Sequence, residues 1–207
     1  MSGTSTTRRT RKTPDARRGE LAAAAREIAL EQGLDAVTLR SVATRAGVAP
    51  ALVAHYTDGM EALVAATFGD LVRAELDEVT ALVRAREEPA ARIGVLLDTL
   101  LDGSRGDITL VWVQAWGLGA HADALAACVR AEMDAWQAMI AAEIERGMRA
   151  GDFAPADAPA IAWHLLAMID GLNAHSLVRW NDRPDRRTLT RRAVAGLLGI
   201  PPERLSG

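Results

Sequence analysis

Residues 38–56 read TLRSVATRAGVAPALVAHY, and the spacing within this stretch decides the fold. Thr38 suits the N-cap of a short helix that ends before Gly47, and a second short helix is predicted from about 49 to 56. Ala43 provides the small side chain that two closely crossing helices need, while Gly47 allows the tight turn between them. The pattern predicts a helix-turn-helix, which is either a DNA-binding motif or a structural helical hairpin.

Helical periodicity continues on both sides of this stretch. Proline is concentrated in connections, alanine is abundant, and neither strand patterns nor internal repeats are found. Helices are predicted at about 14–32, 38–46, 49–56, 60–86, 89–101, 108–118, 123–150, 157–180 and 185–198. We therefore expect an all-α protein with about nine helices. Its predicted parts are a disordered basic arm over 1–13, a helix-turn-helix domain over 14–58 and a larger helical domain over 59–207.

Two groups of apolar residues bear on the larger domain. Residues 108–118, ITLVWVQAWGL, are apolar on every side, which predicts a helix inside the core. The two long helices at 123–150 and 157–180 are apolar on both faces, more than one core requires. The additional face consists of Ala131, Ala135, Ala138 and Ala142 on the first helix, and Trp163, Leu166, Ile169 and Leu177 on the second. We expect it to form a four-helix interface with a homodimer partner.

Charge is unevenly distributed along the chain, whose formal net charge is -3. Residues 1–60 contain nine Lys and Arg against six Asp and Glu, whereas residues 61–207 contain fifteen against twenty-one. The basic charge is concentrated in the first eighteen residues. Such an arm either lies along DNA phosphates or in the minor groove, or serves as a solubilising tail.

The sequence lacks the signatures of several other classes of protein. Cys128 is the only cysteine, which excludes an intramolecular disulfide and a paired-cysteine zinc site. His121, His164 and His175 lack metal-ligand spacing, and no nucleophile–base, phosphate-loop or metal motif is found. The basic N-terminus has no apolar core after it, and no apolar run reaches membrane-spanning length. We therefore expect a cytoplasmic protein that is not an enzyme and has no cofactor, metal or membrane partner.

The helix-turn-helix residues resemble those of the TetR family of transcriptional regulators. The matching positions are Gly33, Thr38, Ala46, Gly47, Val48, Glu61 and Leu63. The pair His55-Tyr56 and the segment Asp170-Gly171-Leu172 are similar to the BetI-type branch. The resemblance implies a C-terminal helical ligand-binding and dimerisation domain in a homodimeric repressor, which an unknown small-molecule effector releases from double-stranded operator DNA. The alternative is a helical interaction or adaptor protein that binds no DNA.

The chain departs from the family pattern at Ala54, Thr57 and Met60, where other members have residues that often touch DNA. Base contacts should therefore depend on the few remaining side chains of the second short helix, and phosphate contacts on arginines and the arm. The candidate DNA-binding residues are Arg8, Arg9, Arg11, Lys12, Thr38, Arg40, Arg45, Ala49, Pro50, Ala51, His55 and Tyr56.

The resemblance also implies a small-molecule pocket in the larger domain. The candidate ligand-binding residues are Trp112, Trp116, Trp136, Trp163 and Asp170. The tryptophans either form an aromatic box for a quaternary ammonium or flat hydrophobic ligand, or only pack the core. Asp170 interrupts the apolar run AMIDGL, where a carboxylate is costly to bury without a partner. It faces a cationic ligand, pairs with a residue such as Arg130 or His175, or caps a dimer interface.

Overall fold

The computed structural model describes residues 13–154, 156–180 and 186–205, which form helices and no strands. The α-helices of these residues are α1 (Pro14–Gln32), α2 (Leu39–Ala46), α3 (Pro50–Tyr56), α4 (Met60–Arg84), α5 (Pro89–Leu101), α6 (Gly106–Gly119), α7 (Asp123–Ala150), α8 (Ala158–Leu177) and α9 (Arg186–Leu198). Two 3₁₀ turns, Leu34–Ala36 and Pro202–Leu205, complete the secondary structure of this part of the chain. The predicted all-α fold class is confirmed.

The first three helices form an N-terminal module. α1 contacts α2, and α2 contacts α3. Val42 and Ala43 of α2 and Val53 of α3 are fully buried at the centre of the module. Burial of a valine side chain contributes roughly 1.5–3 kcal/mol, so these two short helices are stabilised by packing rather than by their own length.

The remaining helices form a C-terminal body. α4 begins directly after the module and also packs against α1, so it belongs structurally to both parts. α7 lies at the centre of the body, in contact with α4, α5, α6 and α8. The buried core runs without interruption from Leu21 in α1 to Leu205 in the second 3₁₀ turn.

α6 differs from its prediction in both extent and burial. The helix begins at Gly106, two residues before the predicted start at 108. It is not buried on every side: Val111 and Ala115 are fully buried, whereas Leu118 is 39% exposed. The prediction was wrong because one side of α6 lines a cavity and the last turn of the helix, at Gly117 and Leu118, is exposed. The hydrophobicity of the sequence alone does not reveal either feature of α6.

The additional apolar face predicted on α7 and α8 is only partly external. Ala131, Ala138 and Ala142 are exposed, and Trp163 is 62% exposed. The other members are half-buried or buried: Ala135, Leu166, Ile169 and Leu177. Further exposed apolar side chains follow in the same region of the chain, namely Val178, Trp180, Leu189 and Leu197.

Residues 1–12 of the predicted basic arm, which include Arg8, Arg9, Arg11 and Lys12, lie outside the described residues. No helix in the described ranges is long and apolar enough to cross a membrane. Among the same residues, no group of three or more histidine, cysteine or acidic side chains is placed to hold a metal ion.

Candidate DNA-binding surface and ligand cavity

Two local features define the start and the end of α2 in the helix-turn-helix. Thr38 Oγ1 accepts a hydrogen bond from the Ser41 amide at 3.0 Å, and Ser41 Oγ accepts one from the Thr38 amide at 2.9 Å. This reciprocal cap satisfies two amides that would otherwise lack partners at the start of α2. Gly47 ends α2 in the left-handed region, at φ 65° and ψ 39°, which allows the chain to turn at once into α3.

The predicted DNA-binding residues of the motif are exposed, apart from Tyr56. Thr38 and Arg40 are exposed at the start of α2, and His55 is exposed near the end of α3. Tyr56 is half-buried. The short side chains at the start of α3 are also exposed: Ala49, Pro50 and Ala51. Because these chains are short, they allow the backbone of α3 to approach a base edge closely, and they offer apolar contact to thymine methyl groups.

Arg45 is already engaged within the module. Its guanidinium lies 2.6 Å from a carboxylate oxygen of Glu31 and 3.1 Å from one of Glu27, both on α1. The hydrogen bond from Arg45 lowers the pKa of the Glu31 carboxyl. Arg40 makes no ion pair with the described residues, so the two arginines are not equivalent as phosphate contacts. This difference between Arg40 and Arg45 is not visible in the sequence, because the partners of Arg45 lie on another helix.

Arg18 is a further basic residue at this surface, and it is not among the predicted DNA-binding residues. Its guanidinium carbon lies 5.8 Å from the centre of the Tyr56 ring, within the range of a cation–π contact. Asp15 lies 3.1 Å from the same side chain. The contact joins the start of α1 to the end of α3. Arg18 was counted only as part of the basic N-terminus, and its place beside Tyr56 depends on how α1 packs.

A cavity lies inside the C-terminal body, between helices α4 to α8. It encloses about 620 Å³ of space free of protein atoms, part of which is open to solvent. Its wall includes Glu75, Leu100, Arg105, Ile108, Trp112, Trp116, Met133, Trp136, Leu166, Ile169, Asp170 and Asn173. Four of the five predicted ligand-binding residues are therefore brought together here. Trp163 is the exception: it lies on the outer surface of α8, so its placement in the cavity was wrong.

Three tryptophans give the cavity an aromatic wall. The Trp112 and Trp116 rings are 5.9 Å apart and tilted by 38°, and Phe68 meets Trp112 edge to face at 5.0 Å. Trp136 is buried beside them. The indole nitrogens of Trp116 and Trp136 are buried and have no hydrogen-bond acceptor among the described residues. Unsatisfied donors of this kind are costly in a core and are ready to bind an acceptor on a ligand.

Two carboxylates line the same cavity, and they differ in whether polar side chains lie beside them. Glu75 accepts a hydrogen bond from the Trp112 indole at 3.3 Å and lies 3.6 Å from Arg105. Burial raises the pKa of the Glu75 carboxyl, and these two neighbours oppose that rise. Asp170 has no hydrogen-bond or ion-pair partner in the described ranges, so the predicted pairing with Arg130 or His175 is not found. Burial alone raises the pKa of Asp170 to about 6.

A capped helix-turn-helix joined to a helical body with an internal cavity defines a helix-turn-helix regulator of transcription. Residues 21–67 match the sequence profile of the bacterial regulatory proteins of the TetR family. Residues 89–199 match the C-terminal profile of BetI-type transcriptional repressors. The chain belongs to the TetR family, with a BetI-type C-terminal domain, and is a DNA-binding transcriptional regulator rather than a member of an enzyme family. The resemblance predicted from its motifs is confirmed.

Individual relatives agree with this assignment. The chain is 31% identical over 159 residues to the transcriptional regulator BetI of Rhizobium meliloti, covering 75% of both proteins. It is 30% identical over 146 residues to BetI 2 of Chromohalobacter salexigens, covering 69% of this chain and 68% of that relative.

Solved structures share the fold at lower sequence identity. A TetR-family regulator from Rhodococcus sp. matches with a TM-score of 0.76 and 18% identity, covering 89% of this chain and 99% of that one. A regulator from Saccharomonospora viridis, solved in complex with choline, matches with a TM-score of 0.73 and 20% identity, covering 89% and 96%.

Proposed function

We propose that this regulator is a homodimeric repressor of double-stranded operator DNA, and that a small organic cation bound in the cavity releases it. In this proposal residues 14–58 bind the operator, and residues 59–207 bind the cation and the partner chain. The observation that carries the proposal is Asp170, a half-buried carboxylate that lines the cavity with Trp112, Trp116 and Trp136 and has no partner among the described residues. An organic cation supplies the missing counter-charge.

The chemistry of the wall favours a cation over a neutral flat ligand. A quaternary ammonium group is attracted to the faces of indole rings, and the attraction is stronger when both are desolvated. Glu75 adds a second carboxylate, although Arg105 offsets much of its charge. The free indole N–H groups of Trp116 and Trp136 are suited to an oxygen on the same ligand. The choline complex of the structurally similar regulator from Saccharomonospora viridis supports this class of ligand.

Release from DNA follows from the position of α4. This helix starts directly after α3 and carries Glu75 in the cavity wall, and its Phe68 packs against Trp112. A ligand that displaces these side chains tilts α4 and changes the distance between the two recognition helices of a dimer. Because a dimer reads half-sites about one DNA turn apart, that change weakens binding to the operator. Ligand and operator are then linked through one conformational equilibrium.

The cation is tested by tryptophan fluorescence with choline and with its uncharged analogue, in which a tert-butyl group replaces the trimethylammonium group. We expect the tryptophan emission to change when choline is added and to stay the same when the uncharged analogue is added. Asp170→Asn should weaken choline binding at least about tenfold, equivalent to about 1.4 kcal/mol, because the counter-charge is lost. Asp77→Asn, which changes an exposed residue of α4, is the matched control. Equal binding of the two ligands would contradict the proposal.

The adaptor alternative is tested by a gel shift with the DNA upstream of the protein's own gene. A regulator should give a sequence-dependent shift whose strength falls steeply with salt, because phosphate contacts release counterions. An adaptor should give no such shift. Adding choline should reduce the shift of the wild-type protein and leave that of Asp170→Asn largely unchanged.

A further inference from the structure

α6 presents one side to the cavity and another to the N-terminal module. Trp112 and Trp116 lie one turn apart and both line the cavity. Gln114 stands midway between them in sequence, and since each residue advances a helix by about 100°, its side chain leaves α6 on the opposite side. A displacement of the two indoles by a ligand is therefore transmitted through a rigid helix to Gln114.

Gln114 forms a polar bridge from α6 to the first 3₁₀ turn. Its Oε1 accepts hydrogen bonds from the amides of Leu34, at 2.5 Å, and Asp35, at 3.5 Å. Its Nε2 donates to Asp35 Oδ1 at 2.9 Å. Gly33 makes room for this bridge, because a Cβ atom there would lie 2.6 Å from Gln114 Oε1. The side chain thus binds the backbone of the module through both ends of its amide.

The first 3₁₀ turn is continuous with the start of the helix-turn-helix. The Ala36 carbonyl accepts a hydrogen bond from Ser41 Oγ at 2.8 Å. Ser41 is also the residue that completes the cap with Thr38 at the start of α2. A movement of Leu34–Ala36 therefore reaches the DNA-binding motif through covalent connections and the cap, without passing along α4.

We propose that Gln114 is a positioning residue that couples the cavity to the helix-turn-helix. Occupation of the cavity shifts Trp112 and Trp116, α6 follows, and Gln114 moves the first 3₁₀ turn and with it the start of α2. The inference rests on the proposed function, since it concerns how the same cavity controls DNA binding. It adds a second connection to the one through α4, so removal of the bridge reduces coupling rather than abolishing it.

The test uses Gln114→Ala in the full-length chain, choline as the probe and an operator duplex located by footprinting upstream of the gene. The coupling ratio is the operator Kd at saturating choline divided by the Kd without it. Coupling between sites typically amounts to about 5-fold to 150-fold. We expect Gln114→Ala to lower the ratio by at least about threefold, while the choline Kd of the free protein stays within about twofold of wild type.

Two further variants separate coupling from general damage. Gln114→Glu combined with Asp35→Asn reverses donor and acceptor at the bridge and keeps an acceptor for the Leu34 amide, so it should restore the ratio that Gln114→Glu alone lowers. Gln137→Ala removes a comparable amide that donates to the Pro159 carbonyl at 3.0 Å within the body, so its ratio should match that of wild type.

Backbone hydrogen exchange gives a direct readout of the bridge. Choline should change the exchange of amides 34 and 35 in the wild-type protein and not in Gln114→Ala. A wild-type coupling ratio of one would overturn both the proposed function and the bridge. A normal wild-type ratio that Gln114→Ala leaves unchanged, or that the reciprocal pair of substitutions fails to restore, would overturn the bridge alone.

Discussion

Asp170 is a half-buried carboxylate that lines the cavity and has no hydrogen-bond or ion-pair partner among the described residues. A carboxylate inside the apolar run AMIDGL is visible without any structure, and the cost of burying it is general chemistry. What the sequence left open was its environment: a pairing with Arg130 or His175 was as reasonable as an unpartnered site. Pairing with Arg130 depends on how α8 packs against α7, which is decided by the packing of the whole body.

The raised pKa of Asp170 has a consequence for stability that needs no ligand. Because the folded pKa of about 6 lies above the ordinary aspartate pKa of 3.8, the folded state holds the proton more tightly, and wild-type stability falls as pH rises from about 4 to 6. Asp170→Asn removes this cost. We expect the variant to gain at most about 3 kcal/mol over wild type at pH 7, and little near pH 4.

Urea unfolding at fixed protein concentration measures this difference at both pH values. Asp77→Asn, an exposed change on α4, serves again as the control and should be neutral at both. An advantage of Asp170→Asn that is the same at pH 4 and pH 7 would contradict the titration of a buried carboxyl.

At the scale of helices, the sequence predicts where each helix starts and ends far better than which of its faces is buried. Thr38, Gly47, Gly151 and Asp157 mark helix ends through hydrogen bonds and backbone angles within a few residues, so the sequence contains the information. The burial of α6 depends on what packs against it. The sequence could identify Trp112 and Trp116 as one stripe, but not that Gln114 between them reaches the N-terminal module.

The same distinction applies to the arginines of α2, which the sequence treats as equivalent phosphate contacts. Arg40 is exposed and unpaired among the described residues, whereas Arg45 is held by Glu31 and Glu27 of α1. We expect Arg40→Gln to weaken operator and nonspecific DNA alike and to reduce the salt slope by about one. Arg45→Gln should have a smaller effect on the slope, because binding DNA through Arg45 requires an existing ion pair to break.

Fluorescence anisotropy over a salt series gives both slopes. Thermal unfolding provides the control, because Arg40→Gln breaks no hydrogen bond or ion pair within the described residues and should leave Tm unchanged. Equal slopes for the two variants would mean that the ion pairs of Arg45 do not persist in the complex.

At the scale of the whole molecule, the sequence indicated a surface for a second chain, and the structure alters its composition. Ile169 is buried and Leu166 is turned to the cavity, while Trp163 stands outside it at 62% exposure. Trp180 and Val178 extend the exposed apolar surface beyond the end of α8. The division of these apolar residues between cavity and surface depends on the packing of α6 to α8, which the sequence does not show.

We expect Trp163 to be an anchor of the homodimer. An exposed tryptophan on a long helix is typical of the side chains that dominate interface energy, where truncation often costs about 2 kcal/mol or more. Trp163→Glu places a charge there and should raise the dimer Kd by at least about 30-fold, which sedimentation at micromolar concentration detects as monomer. Leu82→Glu, at a leucine 42% exposed on α4, is the matched control and should remain dimeric.

Choline binding by monomeric Trp163→Glu should persist, since the cavity is built from one chain, whereas operator binding should be lost because two half-sites need two recognition helices. A Trp163→Glu protein that stays dimeric would place the interface on another face.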